Sequence, residues 1–280
     1  MLIICLLIKN YGVKIMVENK KYLGQFVLPI IVAAAYLFLY LPIFVLVLFS
    51  FNNTSFSVSW GGFSLRWYEK LINSPEILNA LQASLVVAVS TTFLSLLIGT
   101  CFIVASRWGG RTSFFSSLFY INILLPEIVL AIGILSIFTF FQIPLGYGSL
   151  IAGHTLLGLG FVIPIVRARF VELDPVLTEA SLDMGATYWQ TFTKVMIPLL
   201  MPSLVASGLL VFTLSMDDFL ISFFCSGPTV QTLSVYVYSM IRTGVDPMIN
   251  AISTCFLVVS SMLVFLLCSL KIVDQVLGHD

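Results

Sequence analysis

"FVELDPVLTEASLDMGATYWQTFTKVMIP", residues 170–198, is the most tightly specified polar stretch of the chain, and it sits between two long apolar blocks. Its local chemistry reads as two short helices around a glycine. Asp174 is placed to cap the first helix, with Pro175 at its first helical position and Gly185 as the left-handed residue that ends it. Thr187 followed by Gln190 has the spacing of a capping box for the second helix, which Pro198 is expected to close. A rigid helix-turn-helix joining two apolar blocks suits either an interfacial hairpin or a mechanical part on which something pushes.

The surroundings fix the class of protein. Of 280 residues, 59% are hydrophobic and only 9% charged, whereas soluble domains carry about a quarter charged residues. The apolar residues come in blocks near the roughly 20 residues needed to cross a bilayer as helix. The expectation is an all-α integral membrane protein with six spans at about 26–50, 79–106, 114–141, 149–169, 199–225 and 248–271, each a single helical crossing. With the N-terminus inside, ten of the thirteen Lys and Arg residues fall on inner segments, leaving Arg66, Lys70 and Arg242 outside. This matches retention of basic residues on the cytoplasmic side, so both termini are expected there.

On that topology residues 1–25 are a cytoplasmic segment, beginning at Met1 or Met16, and 26–271 are one transmembrane domain. Residues 170–198 form a cytoplasmic loop, and 272–280 a cytoplasmic tail. Outer connections cover about 51–78 and 226–247. The first carries Trp67 and Tyr68, which suit an interfacial anchor or short interfacial helix; the second has room for a short re-entrant or surface helix. The zero net charge gives no sign of nucleic-acid binding. The five cysteines are scattered without a C-x-x-C pair and read as small packing residues.

The loop also carries a resemblance. "EASLDMGATYWQTFTKVMIP" is similar to the EAA loop of ATP-binding-cassette importer permeases, with Glu179, Ala180, Gly185 and Pro198 at the family spacing, Ala186 following the glycine, and Ser181 where the family has alanine. "GFSLRWYEKL", "LLPEIVLAIGI" and "FTLSMDDFLISFFCSGP" look like the spermidine/putrescine importers, in particular their C-type permeases. The resemblance implies the MetI-like permease fold in a bacterial inner membrane. It implies a second homologous permease, two ATPase subunits and an external or periplasmic polyamine-binding protein as partners, with Glu179 to Gly185 as the contact to the ATPase. Consistent with ATP being held by partner ATPase subunits and no cofactor by this chain, none of the eighteen glycines is followed by lysine, as a P-loop requires.

Three carboxylates fall inside expected spans: Glu127, Asp217 and Asp218. An Asp at a helix centre costs about 2.5–3.5 kcal/mol on insertion scales, so such groups face a bundle interior or a wet path. At 1.5 Å per residue, Glu127 and Asp217 both come about 20 Å from the cytoplasmic side. No Lys or Arg shares that depth, which leaves a proton, water, the partner permease or a cationic substrate to meet the charge. Adjacent aspartates on a helix point about 100° apart, so only one of them faces a path unless the helix is locally broken. Trp60, Tyr236 and Tyr238 are aromatic candidates along the outer route, since ammonium groups are attracted to aromatic faces.

A permease for another solute, a proton-coupled carrier and an intramembrane enzyme are the competing readings. Acids at membrane depth argue against an anion. His154 stands alone in a span without metal-ligand or nucleophile partners in sequence, and is expected as a buried imidazole bonded between helices; no catalytic or metal site is expected.

Overall fold

The computed structural model describes residues 24–54, 59–109, 119, 124–244 and 247–269. All regular structure among them is helical. The chain divides into two compact units: Met1–Leu71 with Val245–Val264, and Ile72–Gly244 with Phe265–Asp280. The expected N-terminal segment and C-terminal tail lie almost wholly outside the described residues.

In the first unit, α1 (Gly24–Ser50) leads into a loop and then α2 (Arg66–Ile72). The loop is tied by Asn52, which is buried; its side-chain amide donates to the Thr54 hydroxyl and the Ser59 carbonyl, while Gly61 N–H donates to its oxygen at 2.8 Å. Trp67 differs from the expected interfacial anchor: it is 3% exposed, and its indole N–H donates to the Asn52 carbonyl at 2.7 Å. A buried indole needs an acceptor, and this loop supplies one. Tyr68 pairs with Ser50 through their hydroxyls at 2.7 Å. The last helix, α11 (Met248–Ser269), lies mostly in this unit.

The second unit contains α3 (Pro75–Gly109), α4 (Glu127–Phe140), α5 (Tyr147–Glu172), α6 (Pro175–Asp183), α7 (Tyr188–Thr191), a π-helical turn (Phe192–Met196), α8 (Ile197–Asp217), α9 (Leu220–Cys225) and α10 (Leu233–Thr243). α3, α5 and α8 pack on one another, α4 packs on α9, and α10 lies against α3. One core joins Val87, Ile134, Leu150 and Ile221. A second joins Ile103, Val162, Ile163, Leu200 and Val211 towards the 170–198 loop. In lipid, helices associate through close packing rather than water exclusion. Gly158 shows how close: a Cβ there would lie 2.4 Å from Ser95 Oγ and 2.9 Å from Val211 Cγ1.

Among the described residues, four helical stretches are long and apolar enough to cross a membrane: Pro29–Ser50, Pro75–Ala105, Tyr147–Glu172 and Tyr188–Asp217; Glu127–Phe140 and Met248–Met262 are shorter apolar helices. Two expected spans are therefore not single uninterrupted helices as described. In the third, of which 114–118 and 120–123 lie outside the described residues, the described helix starts at Glu127, because Pro126 has no N–H and disfavours helix at Leu125. The fifth begins at Tyr188 and breaks at Asp218, which is extended at φ −65°, ψ 127°. Pro198 likewise does not close the second loop helix. The preceding π-turn widens the backbone where the proline ring would meet a carbonyl one turn back, so the helical path continues from Tyr188 through to Asp217.

Candidate functional site

The break after Asp217 leaves backbone donors and acceptors that a continuous helix would have paired. Asp218, 5% exposed, satisfies two donors: its carboxylate accepts from Ser222 N–H at 2.8 Å and Ile221 N–H at 3.5 Å, as a capping residue does. Its carbonyl accepts from the Ser234 hydroxyl at 2.6 Å, which ties the start of α10 to the break. His154 on α5 is buried against the same point. Its Nδ1 pairs with Ser215 Oγ at 2.8 Å on α8, its Nε2 lies 3.2 Å from Ser222 Oγ on α9, and that nitrogen is 3.4 Å from Asp218 Oδ2.

The imidazole thus clasps both pieces of the broken helix. Its bonding between helices matches the expectation for His154. The expectation that no group of this chain meets the acids at depth needs correction, because an imidazole rather than a Lys or Arg stands beside Asp218. Sequence spacing hides this contact, since 64 positions separate His154 from Asp218 and the sequence carries no motif linking them.

The two aspartates have different surroundings. Asp217 is exposed at the end of α8, whereas Asp218 turns inward. Glu127 is exposed at the first turn of α4, near enough to Asp218 for the two carboxyls to interact electrostatically. Glu127 and Asp218 therefore share a layer, with Asp217 beside it in sequence. Tyr238 on α10 packs at a tilt against Phe219 with ring centroids 4.6 Å apart and meets Phe223 edge-on at 6.1 Å; the Arg242 guanidinium lies over the Tyr238 ring, 5.9 Å from its centroid. Tyr236, one turn before Met240 on the same helix, faces a separate cavity. Trp60 belongs to the first unit, where it packs edge-on to Phe49.

The 170–198 loop is built as its sequence indicates at most points. Asp174 accepts from Val176 N–H at 2.9 Å. Thr187 and Gln190 form the reciprocal capping box. Gly185 has φ +86°, with its N–H donating to the Leu182 carbonyl and Ala186 N–H to the Ser181 carbonyl, the paired bonds of a Schellman ending. Ser181 is buried and pairs with Thr191 Oγ1 at 3.0 Å, joining α6 to α7. Glu179 and Ala180 are exposed, as are the apolar side chains of Met184 (85%), Tyr188 and Trp189.

A membrane chain with a rigid loop on one side, a broken helix at depth and acids at the break has the form of a transporter's membrane subunit. Two solved structures share its fold. One is a bacterial ABC transporter involved in the import of the acidic polysaccharide alginate, with TM-score 0.67 and 14% identity over 90% of this chain and 96% of that one. The other is the MetNI methionine ABC transporter in inward-facing conformations, with TM-score 0.58 and 19% identity over 71% of this chain and 95% of that one. The chain belongs to the family of binding-protein-dependent transport system inner membrane components, whose family model matches residues 98–278. It is 37% identical over 250 residues, 88% of this chain and 92% of the relative, to the spermidine/putrescine transport system permease protein PotC of Escherichia coli (strain K12). It is 31% identical to the putrescine transport system permease protein PotI of the same organism, over 81% of this chain and 84% of that one. The protein is accordingly a permease subunit of an inner-membrane transport system, a membrane part rather than an enzyme.

Proposed function

We propose that this chain is the permease of an ATP-driven polyamine importer, and that its acidic break is the place where the substrate's ammonium groups are met. The observation that carries the reading is Asp217: an exposed carboxylate at the end of an apolar helix, next to a carboxylate that is already occupied. Asp218 spends its oxygens on two backbone donors and stands beside His154, so it anchors the break. Asp217 and Glu127 remain to contact a cation, with Tyr238 and Tyr236 as aromatic surfaces along the route. Protonated amines form charge-assisted hydrogen bonds with carboxylates and are attracted to aromatic faces. Similarity to permeases of spermidine/putrescine and putrescine systems supports this cation over other solutes.

Transport in this reading makes and breaks no covalent bond in the chain. Residues 26–271 act as one transport domain with a second permease subunit, and a polyamine-binding protein delivers substrate from outside. ATP is hydrolysed on two partner ATPase subunits, which push on the loop around Glu179, Ala180, Ser181 and Gly185 from the cytoplasm, where both termini lie. The exposed Met184, Tyr188 and Trp189 suit burial against such a partner. Because Tyr188 to Asp217 is one helical path, a displacement at the loop reaches the acidic break without crossing a flexible joint.

The test is spermidine uptake into vesicles containing all subunits. Asp217→Asn is expected to reduce uptake about tenfold or more, as loss of a charge-assisted contact does, while the complex stays assembled. Unchanged uptake in Asp217→Asn and in Asp217→Asn combined with Glu127→Gln overturns the substrate role.

A further inference from the structure

A second polar feature of the same unit lies at the opposite end of α5 from the 170–198 loop. It is a cavity of about 460 Å³ between the N-terminal turns of α3, α5 and α10 and residues 229–231. Its walls include one carboxylate, Glu76, two phenol rings, Tyr147 and Tyr236, and three side-chain amides, Asn79, Gln82 and Gln231. Among the described residues its lining includes no lysine or arginine. Ser74 donates to one Glu76 oxygen at 3.0 Å, and no positive charge stands on the other wall residues.

The cavity's walls are fixed rather than fortuitous. The Leu233 N–H donates to the buried Ser84 Oγ at 2.8 Å, which pins the start of α10 onto α3. Ser149 Oγ accepts from Gly146 N–H and lies 2.8 Å from the Cys225 carbonyl, which pins the start of α5 to the end of α9. The three elements that carry the polar groups are therefore held by buried hydrogen bonds just beneath the cavity.

Position along α5 gives the cavity its relation to the acidic break. At 1.5 Å per residue, Tyr147 stands about 10 Å from His154 and nearly 40 Å from Glu172. The cavity is thus a step outside the layer of Asp218 and Glu127, at the end away from the loop. One carboxylate, aromatic faces and amide oxygens form a donor set for an alkylammonium group, not for an anion or a bare metal ion. A path that must release its cargo needs weak sites in series rather than one tight site.

The geometry points to this cavity as an entry site for one ammonium end of the substrate, with Glu76 as its counter-ion and Tyr236 and Gln82 as its walls. The inference rests on the polyamine reading of the deeper acids, and extends it from one layer to two. A long flexible cation with amines spaced along its chain can hold Glu76 with one end while another reaches the break.

Carbodiimide coupling reads the site directly. The reagent activates a carboxylate, and a nearby unprotonated amine then forms an amide with it while the carboxylate oxygen leaves in the urea. The sample is the complete permease–ATPase complex in nanodiscs, without binding protein, incubated with spermidine; adducts at Glu76 and at Glu69, another exposed carboxylate, are counted by mass spectrometry. A specific site predicts about two- to fivefold more adduct at Glu76 than at Glu69, the range of a weak partly solvated charge pair. The excess should vanish in Gln82→Leu combined with Tyr236→Leu. Equal labelling, or an excess that survives the double substitution, overturns the site. So does a Glu76→Gln variant that changes only stimulation by loaded binding protein while the wild type shows no excess adduct, which makes the cavity a protein contact. Spermidine uptake by the wild-type complex separates the two claims: uptake without excess adduct removes the entry site alone, and no uptake removes the polyamine reading.

Discussion

Two interruptions lie on one helical path, and they are built in opposite ways. At the loop end the sequence contains Pro198 and, four residues later, Pro202, yet the helix runs on through a π-turn. At the other end "SMDDF" has neither proline nor glycine, yet the helix stops at Asp217 and restarts at Leu220. Proline costs one donor and a local clash, which a single widened turn absorbs. A break at membrane depth costs several unpaired backbone groups, and it persists only where other side chains take them up. Asp218 and Ser234 do so here, while the His154 clasp joins the serine hydroxyls on either side of the break. The loop end is thus a stiff joint, and the acidic end a break held open by buried polar groups.

The comparison is broken most severely by removing the holder of the break. Asp218→Leu leaves the Ser222 and Ile221 N–H donors without their acceptor and removes the carboxylate beside the His154 ring. Each unsatisfied buried group costs about 1–3 kcal/mol, so the variant is expected not to yield a folded permease, seen as loss of monodisperse complex on size-exclusion chromatography. Asp218→Asn keeps one acceptor oxygen and is expected to fold with lowered thermal stability and impaired uptake. A fully stable and active Asp218→Leu protein would mean that the break is not held from within.

At the stiff joint the corresponding change is Gly185→Val. With φ at +86°, a side chain there meets open space but forces a β-branched residue into the left-handed region, at about 1–2 kcal/mol. The expected result is a folded complex whose ATPase stimulation by substrate-loaded binding protein falls several-fold. Gly185→Asn, which tolerates that backbone better, should recover much of it. Equal loss in both would show that side-chain bulk at the partner surface, not the turn, is what matters.

How far these regions were legible in the sequence follows from the range of the interactions. The loop's caps involve residues two to five apart, and Asp174, Thr187, Gln190 and Gly185 each stand where local rules put them. Pro198 does not close its helix because the π-turn before it accommodates the ring, a backbone adjustment that sequence spacing does not reveal. The long apolar helices follow from composition, although Pro126 and Asp218 interrupt two of the expected crossings. The acids announced themselves by their cost in an apolar run. What divides Asp217 from Asp218 did not, since it depends on His154 and Ser234 arriving from other helices. The same holds for Trp67, whose acceptor is a backbone carbonyl fifteen residues away.

The smallest expected effect tests whether the stiffness of the joint depends on one departure from the loop pattern the chain resembles. Ser181 stands where an alanine is usual, and it pairs with Thr191 across the turn. Restoring alanine removes that hydrogen bond and leaves Thr191 Oγ1 without it. The net loss is about 1 kcal/mol, visible as a small drop in the melting temperature of the purified complex. Uptake should remain near wild type, because the Schellman bonds at Gly185 and the capping box at Thr187 still fix the turn. A large loss of uptake in Ser181→Ala, with melting unchanged, would instead place the force-bearing contact at the α6–α7 interface itself. The same loss repeated in Thr191→Val, which keeps shape and removes the hydroxyl, would assign it to this single bond.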